Sequence, residues 1–374
     1  MIPIPKHTRS LKPYKAGKPI EELAREKKLT RIVKLASNEN PLGTSPKALA
    51  AIADSLHDLN RYVDPGSTML VAKLADLYGK TPRQVICGHG TDSLIAYAVN
   101  AFTVEGDEIL TSQGTFIGIY VSTNKLGRTI KEVPLKDFGF DLDAIRKAVT
   151  KKTRIIYLAN PNNPTGTMFT AAEFESFMAD VPDDILVILD EAYSTFADHL
   201  PDYPDGVRYE YENLLVMRTL SKAYGLAGLR VGFAVGPEYI IHELYKVRLP
   251  FEPNTLAQAA AIAALDDKEF LARTVETNAK SLAMFQSGLD RLDIKYVPTT
   301  ANFLLLLMPS EEFAQMFFQE CLNRGLIVRH VVGFGIPEGV RINSGTIDET
   351  EFALEVIEEV YEKLQKNLLA DKTA

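Results

Sequence analysis

Only two cysteines, Cys87 and Cys321, occur in 374 residues, and they stand far apart. That excludes a disulfide scaffold and a cysteine-based zinc site, and predicts reduced, buried thiols in a cytoplasmic protein. Long apolar runs are also missing. The strongest, FLLLLM from Phe303 to Met308, has the length of a strand and is far short of a bilayer span. The opening residues MIPIPKHTRS place prolines where a secretory signal would need an apolar stretch. There is no excess of positive charge. The 41 Lys and Arg residues face 49 Asp and Glu residues, a net charge of −8, which argues against a nucleic-acid or membrane-surface partner. Internal repeats, low-complexity tracts and the phosphate loop G-x-x-x-x-G-K-[ST] are absent as well. What remains is a 46% hydrophobic, 24% charged chain. It is long enough for two domains, or for one large α/β domain with an appendage.

Short apolar runs alternate with amphipathic ones from about Arg83 to Gly236. QVICG, DEILT, TIKEVPL, RIIYLAN, DILVILDE, NLLVMRT and RVGFAVG read as strands. SLIAYAVNAF, LDAIRKAVT and AAEFESFMADV read as helices between them. Continuous apolar strands alternating with helices predict a mostly parallel sheet covered on both faces, a three-layer α/β domain. Ligands of such sheets gather beyond the carboxyl ends of the strands. Further on, a helical region from about Thr255 to Leu289 precedes YVPTTANFLLLLM, a helix around Glu311 to Asn323, LIVRHV and GVRINSG. A final charged helix from about Asp348 to Lys366 completes a smaller α+β domain. The division expected is an arm over 1–35 joining the small domain, a large domain over 36–275 and a small domain over 276–374.

Four strand ends carry unusual residues. GHGTDS after the first strand is a glycine turn entering a helix, where backbone N–H groups can hold a phosphate or simply make a tight turn. NPNNPTG after RIIYLA sets Asn160, Asn162 and Asn163 in a loop stiffened by two prolines. ILVILDEAY ends an apolar strand with Asp190 and Glu191, followed by Tyr193. A carboxylate there needs a cation or donor. A protonated ring nitrogen or Mg²⁺ would serve, as would a helix cap. Lys222, in SKAYGLAGLR after the strand NLLVMRT, is placed for Schiff-base chemistry if burial lowers its pKa, with Ser221 and Arg230 beside it for a phosphate.

NPNNPTG, DEAY and SKAYGLAGLR, in this order and spacing, resemble the aspartate-aminotransferase-like superfamily of fold type I, which uses pyridoxal 5′-phosphate. LKPYKAGKPIEEL, LASNENPLG, LNRYVDP and VRINSGT resemble the histidinol-phosphate aminotransferases within it, and the likeness spans nearly the whole chain. The resemblance implies that Lys222 holds the cofactor aldehyde and moves a proton between the substrate Cα and the cofactor. It implies that Asp190 pairs with the ring nitrogen, while Tyr193 and Asn163 bond the ring oxygen. Gly90, Thr91, Asp92, Ser221 and Arg230 would form the phosphate site, Asp92 by orientation rather than direct charge. Phe116 would stack on the ring where the family more often has tyrosine, keeping the stack and losing the hydroxyl. Tyr62 would reach the phosphate of the neighbouring subunit, making the active unit a homodimer. On the substrate side, Arg341 would bind an α-carboxylate, and Arg329 with Tyr14 the phosphate of histidinol phosphate, since a guanidinium fork suits both anions. Asn38 would line the pocket and Asn302 support it.

The expected activity is therefore transfer of an amino group between histidinol phosphate and 2-oxoglutarate in two half-reactions, a step of histidine biosynthesis. Within the same fold the alternatives are an aromatic amino-acid aminotransferase and a threonine-phosphate decarboxylase. From other classes come a nucleotide-binding module using GHGTDS with Asp190 and Glu191 on Mg²⁺, and a non-catalytic protein that retains the cofactor.

Overall fold

The structure, a computed structural model, describes residues 2–11, 20–27 and 29–373. Thirteen strands occur among them: β1 Val33–Lys34, β2 Val85–Gly88, β3 Glu108–Ser112, β4 Thr129–Val133, β5 Thr153–Ala159, β6 Leu186–Asp190, β7 Leu214–Thr219, β8 Gly232–Val235, β9 Lys295–Val297, β10 Phe303–Leu307, β11 Leu326–Ile327, β12 Arg329–His330 and β13 Gly339–Asn343.

The seven strands expected between Arg83 and Gly236 form one sheet in the order β2-β8-β7-β6-β5-β3-β4. From β7 to β4 every pairing is parallel, and β8 runs antiparallel to both its neighbours. Strand alternation sends each residue to one of two cores. Ile156, Leu158, Val187 and Leu189 join a core covered by the helices Thr68–Tyr78, Ala171–Met178 and Thr255–Leu265. Ile155, Tyr157, Leu186 and Ile188 face the opposite core, under Gly90–Phe102 and Glu238–Val247. This is the three-layer α/β architecture that the apolar runs predict.

A second sheet, β12-β13-β10-β9, is antiparallel throughout. It shares a core with the helices Lys268–Arg291, Glu311–Asn323 and Ile347–Thr373. Ser310 starts the middle one by accepting from Phe313 N, a side-chain cap of the usual kind. Two expected helical regions gain detail. The region from Thr255 to Leu289 is two helices, because Asp267 turns its carboxylate onto Phe270 N and begins a new one. The last helix starts at Ile347 and extends to Thr373, beyond both ends read from its charge pattern.

LIVRHV also divides. β11 pairs in parallel with β1, and β12 pairs with β13, so the chain changes partners at Val328. The segment through β1 is thereby bound to the second sheet before it enters the site: Leu35 N donates to Ile327 O, and Asn343 N to Leu35 O. Ahead of it, Leu23 of the helix Ile20–Lys27 is buried with Ala36, Leu322 and Ile327.

Candidate active site

Parallel pairing puts the carboxyl ends of β5, β6 and β7 side by side, since Ala159 registers with Asp190 and Asp190 with Met217. The loops that begin at Asn160, Glu191 and Leu220 therefore open at one edge. A cavity of about 230 Å³ lies there, several times the roughly 30 Å³ share of one water. It is lined by Asn38, Thr91, Asp92, Phe116, Asn163, Asp190, Tyr193, Ser221, Lys222, Arg230, Arg329 and Arg341. Twelve residues singled out from sequence thus meet in one place. Gly90 adjoins it, and Tyr62 stands apart. Tyr14 lies outside the described residues.

Asp190 is buried at the end of β6 and makes no ion pair among the described residues. Its Oδ2 accepts from the Tyr157 hydroxyl at 2.7 Å, and its Oδ1 from Ala192 N at 3.1 Å. Burial pushes its pKa up to about 6, while the Tyr157 and Ala192 bonds pull against that rise. Glu191 points the other way, as adjacent residues of an extended chain do. It accepts from Gly206 N and pairs with Arg218 at 2.6 Å. The two carboxylates are therefore not brought together for a metal ion. No cluster of three or more His, Cys, Asp or Glu suited to one occurs among the described residues.

Lys222 Nζ sits 3.4 Å from Ser37 O and 5.8 Å from the centre of the Tyr193 ring. Burial, and after it the nearby Arg341, hold its pKa down at about 8. The Tyr193 oxygen accepts from Asn38 Nδ2 at 2.8 Å and Asn163 Nδ2 at 3.2 Å. With both lone pairs engaged, its own proton is left to be donated into the cavity. Burial first of all raises that hydroxyl to about 12, so it remains a donor at neutral pH.

The asparagines of NPNNPTG divide their work. Asn160 bonds both backbone groups of Phe169, and Asn162 ties Thr115, Gly114 and Thr165 together. These two brace the loop; only Asn163 lines the cavity. Asn302 donates to Asn38 O, so it braces the segment that carries Asn38.

At the opposite wall the helix Gly90–Phe102 aims its N-terminus at the cavity. Arg230, in left-handed conformation, lies against it and reaches Asp92 at 2.9 Å and Ser221 Oγ at 3.5 Å. Asp92 thus orients the guanidinium. Gly90 has a φ of +73°, and a Cβ there would fall 2.6 Å from Arg230 Nη2, so a side chain would strain the backbone and displace the guanidinium. Helix N–H groups, a serine and an arginine at one point make an anion site.

Arg329 and Arg341 are direct cross-strand partners on β12 and β13. Arg341 donates to Asn163 Oδ1 and, at 2.8 Å, to Ala36 O. Like charges facing each other across a ladder repel, and an anion between them relieves this. The cavity holds four cations, Lys222, Arg230, Arg329 and Arg341, against two acids, Asp92 and Asp190. In a chain of net charge −8, this is a local basic pocket.

Sequence reasoning missed several lining residues, among them Ile117 and Phe334, which carry no polar signature of a site, and Thr219 at the end of β7. It also missed Tyr157, whose one signal was a tyrosine inside the otherwise aliphatic strand RIIYLA. Tyr62 is 84% exposed and stacks on Phe251, with ring centres 4.4 Å apart. It does not line the cavity of its own chain.

Residues 30–357 match the family described as aminotransferase class I and II. The chain is similar to a histidinol-phosphate aminotransferase 2 of Carboxydothermus hydrogenoformans, 41% identical over 357 residues, covering 93% of this chain and 98% of that one. Its fold is similar to a crystal structure of histidinol-phosphate aminotransferase from Sinorhizobium meliloti in complex with pyridoxal-5′-phosphate. There the TM-score is 0.88 and the identity 27%, over 96% of this chain and 98% of that one. An aspartate aminotransferase double mutant of Thermus thermophilus shares the fold at a TM-score of 0.83, with 23% identity over 96% of this chain and all of the other.

Proposed function

We propose that this chain, which belongs to the class I and II aminotransferase family, uses pyridoxal 5′-phosphate to move an amino group between histidinol phosphate and 2-oxoglutarate. The observation that carries the reading is the meeting of Lys222, Asp190 and Arg230 in one basic cavity. The residues present fit this cofactor. Asp190 is a buried carboxylate that lacks a cationic partner among the described residues, Arg230 with Ser221 and the helix start suits a phosphate, and Lys222 is a weakly basic amine between them. When bound, the cofactor supplies an aldehyde that takes up the amino group and a ring that withdraws electrons from the substrate Cα.

The remaining work falls to the chain. Arg230, Ser221, Gly90 and Thr91 hold the phosphate, with Asp92 fixing the guanidinium. Asp190 keeps a proton on the ring nitrogen. Tyr193, held by Asn38 and Asn163, donates to the ring oxygen, and Phe116 covers one ring face. Lys222 Nζ, neutral in part near neutrality, takes the proton from the substrate Cα and later returns it. Arg341 receives the α-carboxylate of glutamate. Arg329 and Tyr14 receive the phosphate of histidinol phosphate, a choice supported by the side-by-side arginines and by the curated relatives.

The working unit is a homodimer in which Tyr62 reaches the partner's phosphate site. Supporting this, Tyr62 is exposed and stacks on Phe251 instead of facing the cavity of its own chain. The arm over 1–35, large domain over 36–275 and small domain over 276–374 are its functional divisions, in keeping with the separate cores. Its place is the cytoplasm, where the two free, buried cysteines stay reduced. The test is absorbance. Added pyridoxal phosphate should give the visible band of the lysine-bound cofactor in the wild type and none in Lys222→Ala. A wild-type protein that never develops the band overturns the proposal.

A further inference from the structure

Tyr157 has no part in the reaction as described above, yet it touches the group on which that reaction depends. It lies in the middle of β5 with no exposed surface, in a core otherwise filled by residues such as Ile86, Leu94, Ile155, Ile188 and Met217. A phenylalanine would fill this space, and a hydroxyl buried there costs free energy unless it finds a partner. The register supplies one. Asp190 pairs with Ala159 across β5 and β6, which makes Tyr157, two residues back on the same face, its diagonal neighbour. Diagonal neighbours are within reach of aromatic side chains. The hydroxyl donates to Asp190 Oδ2 at 2.7 Å, while Ala192 N donates to Oδ1 at 3.1 Å.

We propose that Tyr157 is a positioning residue: its hydroxyl holds Asp190 ionised, and in the one rotamer that presents a carboxylate to the ring nitrogen of the cofactor. The inference rests on the cofactor assignment above. A donated hydrogen bond favours the charged form of a carboxylate, and two of them, one per oxygen, also fix its rotation.

The other groups facing Asp190 make such help necessary. Asp92, from the helix Gly90–Phe102, and Glu191, next along the chain, are both acidic and oppose its ionisation. Each is neutralised by an arginine, Asp92 by Arg230 and Glu191 by Arg218. Tyr193, three residues on, keeps its proton and adds no charge. Burial remains as the main force against the charge, and the Tyr157 bond is the largest effect opposing it. Tyr157 is thus the direct donor in an arrangement that has already removed competing negative charge.

Tyr157→Phe is the test, with Asp190→Asn used only to assign the aspartate signal. In cofactor-free protein, carboxyl ¹³C resonances followed against pH should show the Asp190 midpoint moving up by about one pH unit, the worth of a hydrogen bond to a charged group. In loaded protein, the ¹⁵N resonance of labelled pyridoxal phosphate should shift toward an unprotonated ring nitrogen, and the dissociation constant should rise about tenfold. An unchanged midpoint and an unchanged ring-nitrogen resonance in a folded variant overturn the inference. Should the phenylalanine variant not fold, a fluorinated tyrosine at position 157 replaces it. Its more acidic hydroxyl should move the midpoint down, and no movement overturns the inference. A wild-type protein that fails to bind pyridoxal phosphate overturns the cofactor assignment instead, while the ¹³C titration still decides whether Tyr157 holds Asp190 ionised.

Discussion

Lys222 should titrate as no surface lysine does. Its ordinary pKa of 10.5 is brought down to about 8, first by burial and then by Arg341. At about pH 7.5 a group with a pKa near 8 is neutral in roughly a quarter of molecules, whereas one at 10.5 is neutral in about one in a thousand. The cavity therefore raises the concentration of nucleophilic amine by about 200-fold, which is what capture of an aldehyde requires. Competitive acylation with acetic anhydride across the alkaline range, read residue by residue by mass spectrometry, measures this midpoint without any cofactor. Lys222 should show its midpoint near 8, and Arg341→Met should move it upward.

The sign of the linked stability follows from the same values. Between about pH 8 and 10.5 the unfolded lysine holds its proton and the folded one does not, so the stability of cofactor-free protein rises with pH across that interval. A Lys222 midpoint alongside those of exposed lysines would refute the reasoning, because the burial and the Arg341 charge would then not be felt at Nζ.

Two further outcomes are expected. Arg218→Met leaves the fully buried Glu191 without its cation and should cost about 3–5 kcal/mol in denaturant unfolding, with partial recovery when Glu191→Gln is added; a loss below about 1 kcal/mol would contradict the buried pair. Mixing inactive Tyr62→Ala and Lys222→Ala protomers should restore about a quarter of wild-type activity, since half of the randomly formed dimers are mixed and each carries one intact site; no recovery would contradict the contribution of Tyr62 across the interface.

The sites of the strands were legible because most are apolar runs closed by a turn, with the edge strand TIKEV showing alternation instead, and all seven of the large sheet lie where those runs fall. Their order was not, nor was the reversal of β8 between β2 and β7, because RVGFAVG has the same composition in either direction. The polar strand ends were visible as residue types in unexpected places, and eight of those residues line one cavity, while Asn38, Phe116, Arg329 and Arg341 were found only through the family resemblance. Their division of labour was hidden. Nothing in NPNNPTG separates Asn160 and Asn162, which brace the loop, from Asn163, which faces the cavity, because that choice depends on Phe169, Thr115 and Tyr193 brought near by folding. Asp92 could be judged a poor phosphate ligand from its charge, but its pairing with Arg230 joins residues 138 positions apart. Tyr157 was overlooked for the opposite reason: an aromatic residue inside a buried strand looks like packing, and only the register reveals a hydroxyl aimed at a carboxylate.

The central claim is the choice of amino donor, and a comparison of donors tests it most directly. With purified, cofactor-loaded protein and 2-oxoglutarate, histidinol phosphate is set against phenylalanine and tyrosine, and kcat/KM is measured for each. A phosphate held by Arg329 beside Arg341 should favour histidinol phosphate by about ten- to a hundredfold, the worth of a charged hydrogen-bonded contact. A preference for the free aromatic amino acids would contradict the account.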